Sequence, residues 1–137
     1  MLEHALKYAK MGLSVIPVHS VRNGKCSCGS PRCNAPGKHP RIKWRDQTKL
    51  AATESQIKEW WKRFPDSNVG IVTGKISGIT VIDIDGQEGI RSLEEAGLPL
   101  IELPVTPTAK TGGGGLHIIY RYPERQSIRR VRGYCLR

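Results

Sequence analysis

Residues 19–43 hold Gly, Pro, Cys, Lys and Arg, with no apolar periodicity of either the helical or the strand kind. A loop of about 25 residues without a core of its own is uncommon in a compact domain unless something other than side-chain packing staples it. The stretch carries a staple of its own, Cys26-x-Cys28-x4-Cys33-x5-His39. Three thiolates and an imidazole match a tetrahedral structural Zn²⁺ site, where metal binding becomes folding free energy. Two disulfides are the competing reading. Cys26 and Cys28 are too close to pair comfortably, Cys135 is remote, and nothing points to an oxidising compartment. His19 is an alternative to His39 as fourth ligand, and Cys135 is left as a free thiol.

The chain has 137 residues and a net charge of +10, with a pI near 9.8. That length suits one domain with one hydrophobic core. So large an excess of Lys and Arg predicts a polyanionic partner, nucleic acid or nucleotide phosphate. The charge is uneven: net +8 over residues 1–49, −4 over 50–104 and +6 over 105–137. An acidic middle between basic ends suits a site that holds cations and a polyanion together; chance clustering on solvated surfaces gives the same map. No apolar run approaches the roughly 20 residues needed to span a bilayer, and the N-terminus lacks a signal-peptide pattern. The expected compartment is the cytoplasm, with no membrane partner.

Leu2, Ala5, Leu6 and Ala9 recur at helical spacing, with Gly12 placed for a left-handed cap. Val15, Ile16 and Val18 read as a short strand, and Pro17 within it argues for an edge position. Thr53 starts a second helix with Gln56 as its capping-box partner. Ile57, Trp60, Trp61 and Phe64 form its apolar stripe, and Pro65 ends it; at least one of the two tryptophans is expected in the core. Residues 68–73 and 78–85 read as strands, 88–96 as a third helix, and 105–109 and 116–122 as two further strands. Strands mixed with three helices indicate an α+β (mixed α/β) domain built on one mixed sheet flanked by helices. Residues 19–43 are its inserted loop.

Three groups of residues can carry chemistry. In Ile79-Thr80-Val81-Ile82-Asp83-Ile84-Asp85-Gly86, strand alternation puts Asp83 and Asp85 on one face and Ile82 and Ile84 on the other. Paired carboxylates at a strand end suit Mg²⁺ or Mn²⁺ bound together with substrate phosphates; a solvated strand cap is the plainer reading. In Lys110-Thr111-Gly112-Gly113-Gly114-Gly115-Leu116-His117, glycine backbone N–H groups can approach an anion closely. Lys110 strengthens that reading, and His117 emerges on the same strand face as Ile119 and Arg121. A flexible turn followed by a core histidine is the alternative. Lys38, Arg41, Lys43 and Arg45, interleaved with Trp44, suit phosphate contact and base stacking on a nucleic-acid strand, or else a solvated surface. Gly74-Lys75 is followed by Ile76 and lacks the spacing of a Walker A loop, so P-loop ATP hydrolysis is excluded.

These stretches together, over roughly residues 5–122, resemble the N-terminal Prim-Pol domain of bifunctional DNA primase–polymerases, in the archaeo-eukaryotic primase superfamily. The resemblance runs from Ala5–Val18 through Cys26, Cys28, Cys33, Pro36-Gly37-Lys38-His39-Pro40, Trp60-Trp61 and Asn68–Ile71 to the Asp83/Asp85 strand and Thr111–His117. It implies a catalytic core related to the RNA-recognition-motif fold. It implies also that Asp83 and Asp85 bind two divalent cations and that His117 contacts the nucleotide phosphate, with Lys110 and Gly112–Gly115 in support. The implied reaction is template-directed nucleotidyl transfer from (d)NTPs on a DNA template or primer, in replication of a phage, plasmid or integrated element. A helicase domain or protein is the implied companion. The family has a third metal-binding carboxylate on a strand after the His motif. Residues 128–137 hold no acid, and Glu124 comes too early, beside Pro123. The chain therefore reads as a single Prim-Pol domain, residues 1–137, ending before its last strands.

A non-catalytic, zinc-containing nucleic-acid-binding module is the alternative, motivated by that missing carboxylate and by the charge of +10. A haloacid-dehalogenase-type phosphatase, suggested by Asp83-Ile84-Asp85-Gly86, is set aside because Gln87 stands where that family needs Thr or Val.

Overall fold

The structure is a computed structural model that describes residues 1–123. Cys135, Glu124 and the acid-free stretch 128–137 lie outside the described residues. Among the described residues the fold is α+β, with three α-helices and short antiparallel sheets, in two compact units that divide between Ser77 and Gly78.

In the first unit, α1 (Leu2–Lys10) ends where Gly12, at φ +83°, donates its N–H to the Ala9 carbonyl. The left-handed conformation turns the chain into β1 (Ser14–Val18) without a Cβ penalty. After β1 come β2 (Val21–Arg22), β3 (Lys25–Cys26), α2 (Glu54–Arg63) and β4 (Asn68–Val72). Thr53 Oγ1 accepts from the Gln56 N–H at the start of α2, the capping arrangement expected from their spacing. β1 pairs antiparallel with β4, Val15 opposite Ile71. The core holds Ala5, Val15, Ile57 and Trp61, each nearly or fully buried, with Leu6, Trp60 and Val69 against it. Trp61 is thus the core tryptophan and Trp60 its half-buried neighbour. The other edge of β1 is covered by residues 39–41: His19 N–H donates to the His39 carbonyl, and Arg41 N–H to that of Pro17. Pro17 sits where an acceptor is needed and a donor is not, which is why a proline is tolerated there.

The second unit contains β5 (Ile79–Ile84), α3 (Gly86–Glu95), β6 (Thr108–Lys110) and β7 (Leu116–Arg121). The sheet order is β5-β7-β6, antiparallel throughout. One face of it packs on α3 through Ile84, Leu93 and Ile118, with Ile82, Ile90 and Tyr120 around them.

Three readings of the sequence change. Among the described residues the strands lie in three small antiparallel sheets, not in one mixed sheet. Both edges of β1 are already occupied, by β4 and by residues 39–41, so it recruits no further strand. Residues 19–43 also contain the hairpin β2–β3, closed by Asn23 at φ +49° and Gly24 at φ +72°. An Asn-Gly pair of this handedness is the favoured two-residue hairpin turn, a signal present in the sequence though no apolar alternation accompanies it. Finally, β6 begins at Thr108 and not at Val105. Pro107 has no N–H to give, although its carbonyl accepts from Ile119 N–H, and the Thr106 hydroxyl bonds the Ile119 carbonyl in place of a backbone donor.

Candidate active site and metal centre

The hairpin β2–β3 delivers Cys26 at its end, the turn after it carries Cys28, and a second turn brings Cys33. The segment held on the edge of β1 brings His39. One ligand atom from each of these four residues lies within 4.8 Å of the others, and among the described residues this is where such side chains gather to hold an ion. His39 Nε2 is 3.5 Å from Cys26 Sγ and 3.6 Å from Cys33 Sγ. Ordinary Zn–S and Zn–N bond lengths in a tetrahedron place sulfur and nitrogen about 3.6 Å apart, so the group has the dimensions zinc requires. All three cysteines are thiols. The Cys28 and Gly37 N–H groups, with the Cys28 and His39 side chains, outweigh burial and lower the Cys26 thiol to about 6. The Ala35 N–H favours the Cys33 thiolate, but burial and the neighbouring Cys26 and Cys28 sulfurs push its pKa up. A thiol whose ionisation its neighbours oppose, as at Cys33, is what a bound cation reconciles. The group can bind zinc, with His39 and not His19 as its fourth member.

His19 stacks on His39, ring centroids 4.2 Å apart, and its Nδ1 is 2.9 Å from Ser27 Oγ. That hydroxyl already accepts from Arg41 Nη2 at 2.6 Å and from the Ser20 N–H at 3.0 Å. With both lone pairs engaged, its single proton goes to His19 Nδ1, which fixes the ring as the neutral Nε2–H tautomer. Burial, then the charges of His39 and Arg41, lower the His19 pKa against the pull of Asp66, in keeping with a neutral ring. Arg41 Nη2 also donates to Asp66 Oδ2 at 2.7 Å, and the same oxygen accepts from Ser20 Oγ. Nothing in the local sequence announces Ser20, Ser27 or Asp66, whose partners are 7 to 46 positions away.

Of the basic residues after the cysteines, Arg41 is thus committed inward, its side chain 10% exposed and its guanidinium 5.3 Å from the Phe64 ring centroid. Lys38, Lys43 and Arg45 are exposed, and Trp44 is 38% exposed at the start of a 3₁₀ turn, Arg45–Thr48.

In the second unit Asp83 stands directly opposite His117 across β5 and β7, with Oδ1 3.3 Å from Nε2. Both project from the face opposite α3, because Ile84 and Ile118 fill the core on the other side. Asp85 is extended (φ −88°, ψ +91°), exposed, and caps α3 without a side-chain bond to it, so its carboxylate stays available. The β6–β7 turn is closed by Thr111: its N–H donates to the Gly115 carbonyl, and its hydroxyl accepts from the Gly115 N–H. Gly115 is the glycine this turn cannot replace, since a Cβ there would run into the Ile84 carbonyl oxygen. Among the described residues the Gly112 and Gly113 N–H groups have no acceptor. Lys110 is exposed and pairs with Leu116, which puts it on the α3 face of the strand and not on that of His117. Arg121 shares the face of His117 but stands opposite Ile79, about 13 Å along the strand. The structure therefore gathers Asp83, Asp85, His117 and the glycine turn at one end of the sheet and sets Lys110 and Arg121 at its margins.

The family model described as bifunctional DNA primase/polymerase, N-terminal (Prim-Pol), matches residues 5–135. No curated protein and no solved structure matches the chain. The match spans nearly all of the sequence, and the chain belongs to the Prim-Pol family. Membership implies a function of the DNA primase/polymerase type, with DNA and nucleotides as the molecules such a domain binds. No helix among the described residues is long and apolar enough to cross a membrane.

Proposed function

We propose that this Prim-Pol domain carries out metal-dependent, template-directed nucleotidyl transfer from (d)NTPs, serving replication of a mobile element. The observation that carries the reading is the placement of Asp83 opposite His117, 3.3 Å apart, beside a glycine turn with two unused N–H groups. Asp83 on β5 and Asp85 just beyond it offer hard oxygen donors, the donor chemistry that Mg²⁺ or Mn²⁺ takes up while keeping water and phosphate ligands. Those ions, when bound, supply Lewis-acid stabilisation of the attacking and leaving oxygens.

The chain's own residues do the rest. His117, drawn toward Asp83 in this structure, is placed to bind a triphosphate oxygen brought in beside that carboxylate. The Gly112 and Gly113 N–H groups donate to phosphate oxygens as a backbone nest. Arg121, on the face of His117, holds the outer charge of the nucleotide, and Lys110, on the other face of the sheet, stands apart from it. The zinc-bound loop, with Lys38, Lys43, Arg45 and Trp44, takes the DNA strand through phosphate contacts and stacking.

The test is primer synthesis and extension with Mn²⁺ and labelled nucleotides, on the 137-residue chain and on a version extended through a following strand. Activity that Asp83→Ala or His117→Ala abolishes supports the reading. A non-catalytic binding module is the second reading, and the observation favouring it is that among the described residues Asp83, Asp85 and His117 do not come together as a group that could hold a metal ion. It predicts no transfer in either version, with DNA binding that falls with salt and ignores Mg²⁺ and Mn²⁺.

A further inference from the structure

The geometry points to Arg41, anchored by Asp66, as the positioning residue of the metal centre: it holds the Ser27 hydroxyl, and with it the thiols of Cys26 and Cys28, in a metal-ready arrangement. The inference rests on the reading of the Cys26, Cys28, Cys33 and His39 group as a zinc site. Zinc ligands here come from separate pieces of chain, a turn after a two-stranded hairpin and a segment laid on the edge of β1. Loops of this kind do not order themselves, because the hairpin β2–β3 is only two residues long on each side and its side chains are largely exposed.

Ser27 sits between Cys26 and Cys28, so whatever fixes Ser27 fixes the backbone from which both thiols project. Its hydroxyl is saturated by Arg41, Ser20 and His19. Arg41 lies two residues after His39, so one short segment carries both a ligand and the clamp. That segment is tied to β1 by two backbone hydrogen bonds, His19 N–H to His39 and Arg41 N–H to Pro17.

The clamp is firm for physical reasons. Nη2 reaches Ser27 Oγ at 2.6 Å and Asp66 Oδ2 at 2.7 Å together, and the guanidinium carbon lies over the Phe64 ring. Asp66 follows α2 directly and is itself held by Ser20 Oγ, so the anchor belongs to the packed part of the unit. Side-chain exposures of 10% for Arg41 and 27% for Asp66 separate this pair from a solvated surface contact. Without it, part of the metal's binding free energy would be consumed in ordering the loop.

The probe is Co²⁺, titrated into the metal-free 137-residue chain and read by the absorption of a tetrahedral ion with thiolate ligands. The variants are Ser27→Ala, Arg41→Lys, Asp66→Asn and the Arg41→Lys/Asp66→Asn pair. The expected result is affinity about 10–100-fold weaker in each single variant, the usual consequence of losing a partner behind the ligands. The band shape stays that of the native chain, because all four ligands remain. The double variant binds no more weakly than the poorer single one, because both changes break one clamp. If Arg41→Lys or Asp66→Asn does not fold by circular dichroism, Ser27→Ala decides, since it deletes a single hydroxyl. Native-like Co²⁺ bands with unchanged affinity in Ser27→Ala and in the folded variants overturn the clamp and leave the zinc reading standing. Absence of tetrahedral bands in the native chain overturns the zinc reading, and the clamp with it.

Discussion

Asp83 and His117 face each other across β5 and β7 with 3.3 Å between carboxylate and imidazole, while the next pair along, Ile84 and Leu116, points to the other side of the sheet. Alternation along two paired strands thus separates a polar end from a core by one residue. His117 is nearly half exposed, so the pair contributes little to folding. His117→Ala and Asp83→Ala are therefore expected to leave stability within about 1 kcal/mol of native. Ile84→Ala, one position on and 2% exposed, is expected to cost about 2–4 kcal/mol. Urea titrations of the three variants check the contrast, and equal losses at Asp83 and Ile84 would refute it.

Gly115 and Gly113 are expected to answer differently to the same substitution. A methyl group at Gly115 meets the Ile84 carbonyl and the Thr111 hydroxyl, whereas at Gly113 it meets nothing within 4 Å. Gly115→Ala should lose about 1–3 kcal/mol as β5 and β7 are forced apart. Gly113→Ala should be neutral or stabilise by up to about 1 kcal/mol, by restricting the unfolded chain. Thermal midpoints measured side by side decide it.

Removing the metal should be felt locally. Chelation of a zinc-loaded chain is expected to raise hydrogen exchange over residues 20–41 while the amides of α1 and α2 stay protected, because Ala5, Val15, Ile57 and Trp61 form a core that needs no metal. Cys33→Ser should reproduce the effect without chelator, and metal analysis should then show less zinc per chain. Uniform loss of protection throughout the unit would contradict this division.

Asp66 gives the chain an acid-sensitive contact. Burial alone would raise its pKa, but the Ser20 hydroxyl and the Arg41 guanidinium outweigh it and hold the carboxyl below its ordinary 3.8. The unfolded chain then binds the proton more readily than the folded one. The contribution is whole above the ordinary value and is lost as pH falls through the lowered one. Between about pH 5 and pH 2 the native protein should lose stability more steeply than Asp66→Asn, which cannot titrate there. Parallel acid limbs for the two proteins, measured by urea midpoint against pH, would remove Asp66 from the account.

Much of this was legible in order. Thr53 with Gln56, Gly12 after an apolar face, and the alternation through Asp83 are short-range signals, and each sets local backbone conformation within one or two turns. The metal ligands were legible for another reason: sulfur and imidazole in a stretch without apolar periodicity have few other uses. The three separate sheets were not, because strand propensity says that a segment is extended and not which edge it meets. Arg41 shows the same limit. In the sequence it belongs with Lys38, Lys43 and Arg45, and only its folded surroundings set it apart.

By itself, then, the sequence determined the helices and most strands and the three cysteines of the loop, since these depend on neighbours within a few positions. The tertiary structure alone decided that Asp83 meets His117, that Asp66 reaches Arg41 and Ser20, and that His39 and not His19 joins the three cysteines. Those contacts span 6 to 46 positions. They exist only where packing of the intervening chain brings the partners together, and no local propensity carries that information.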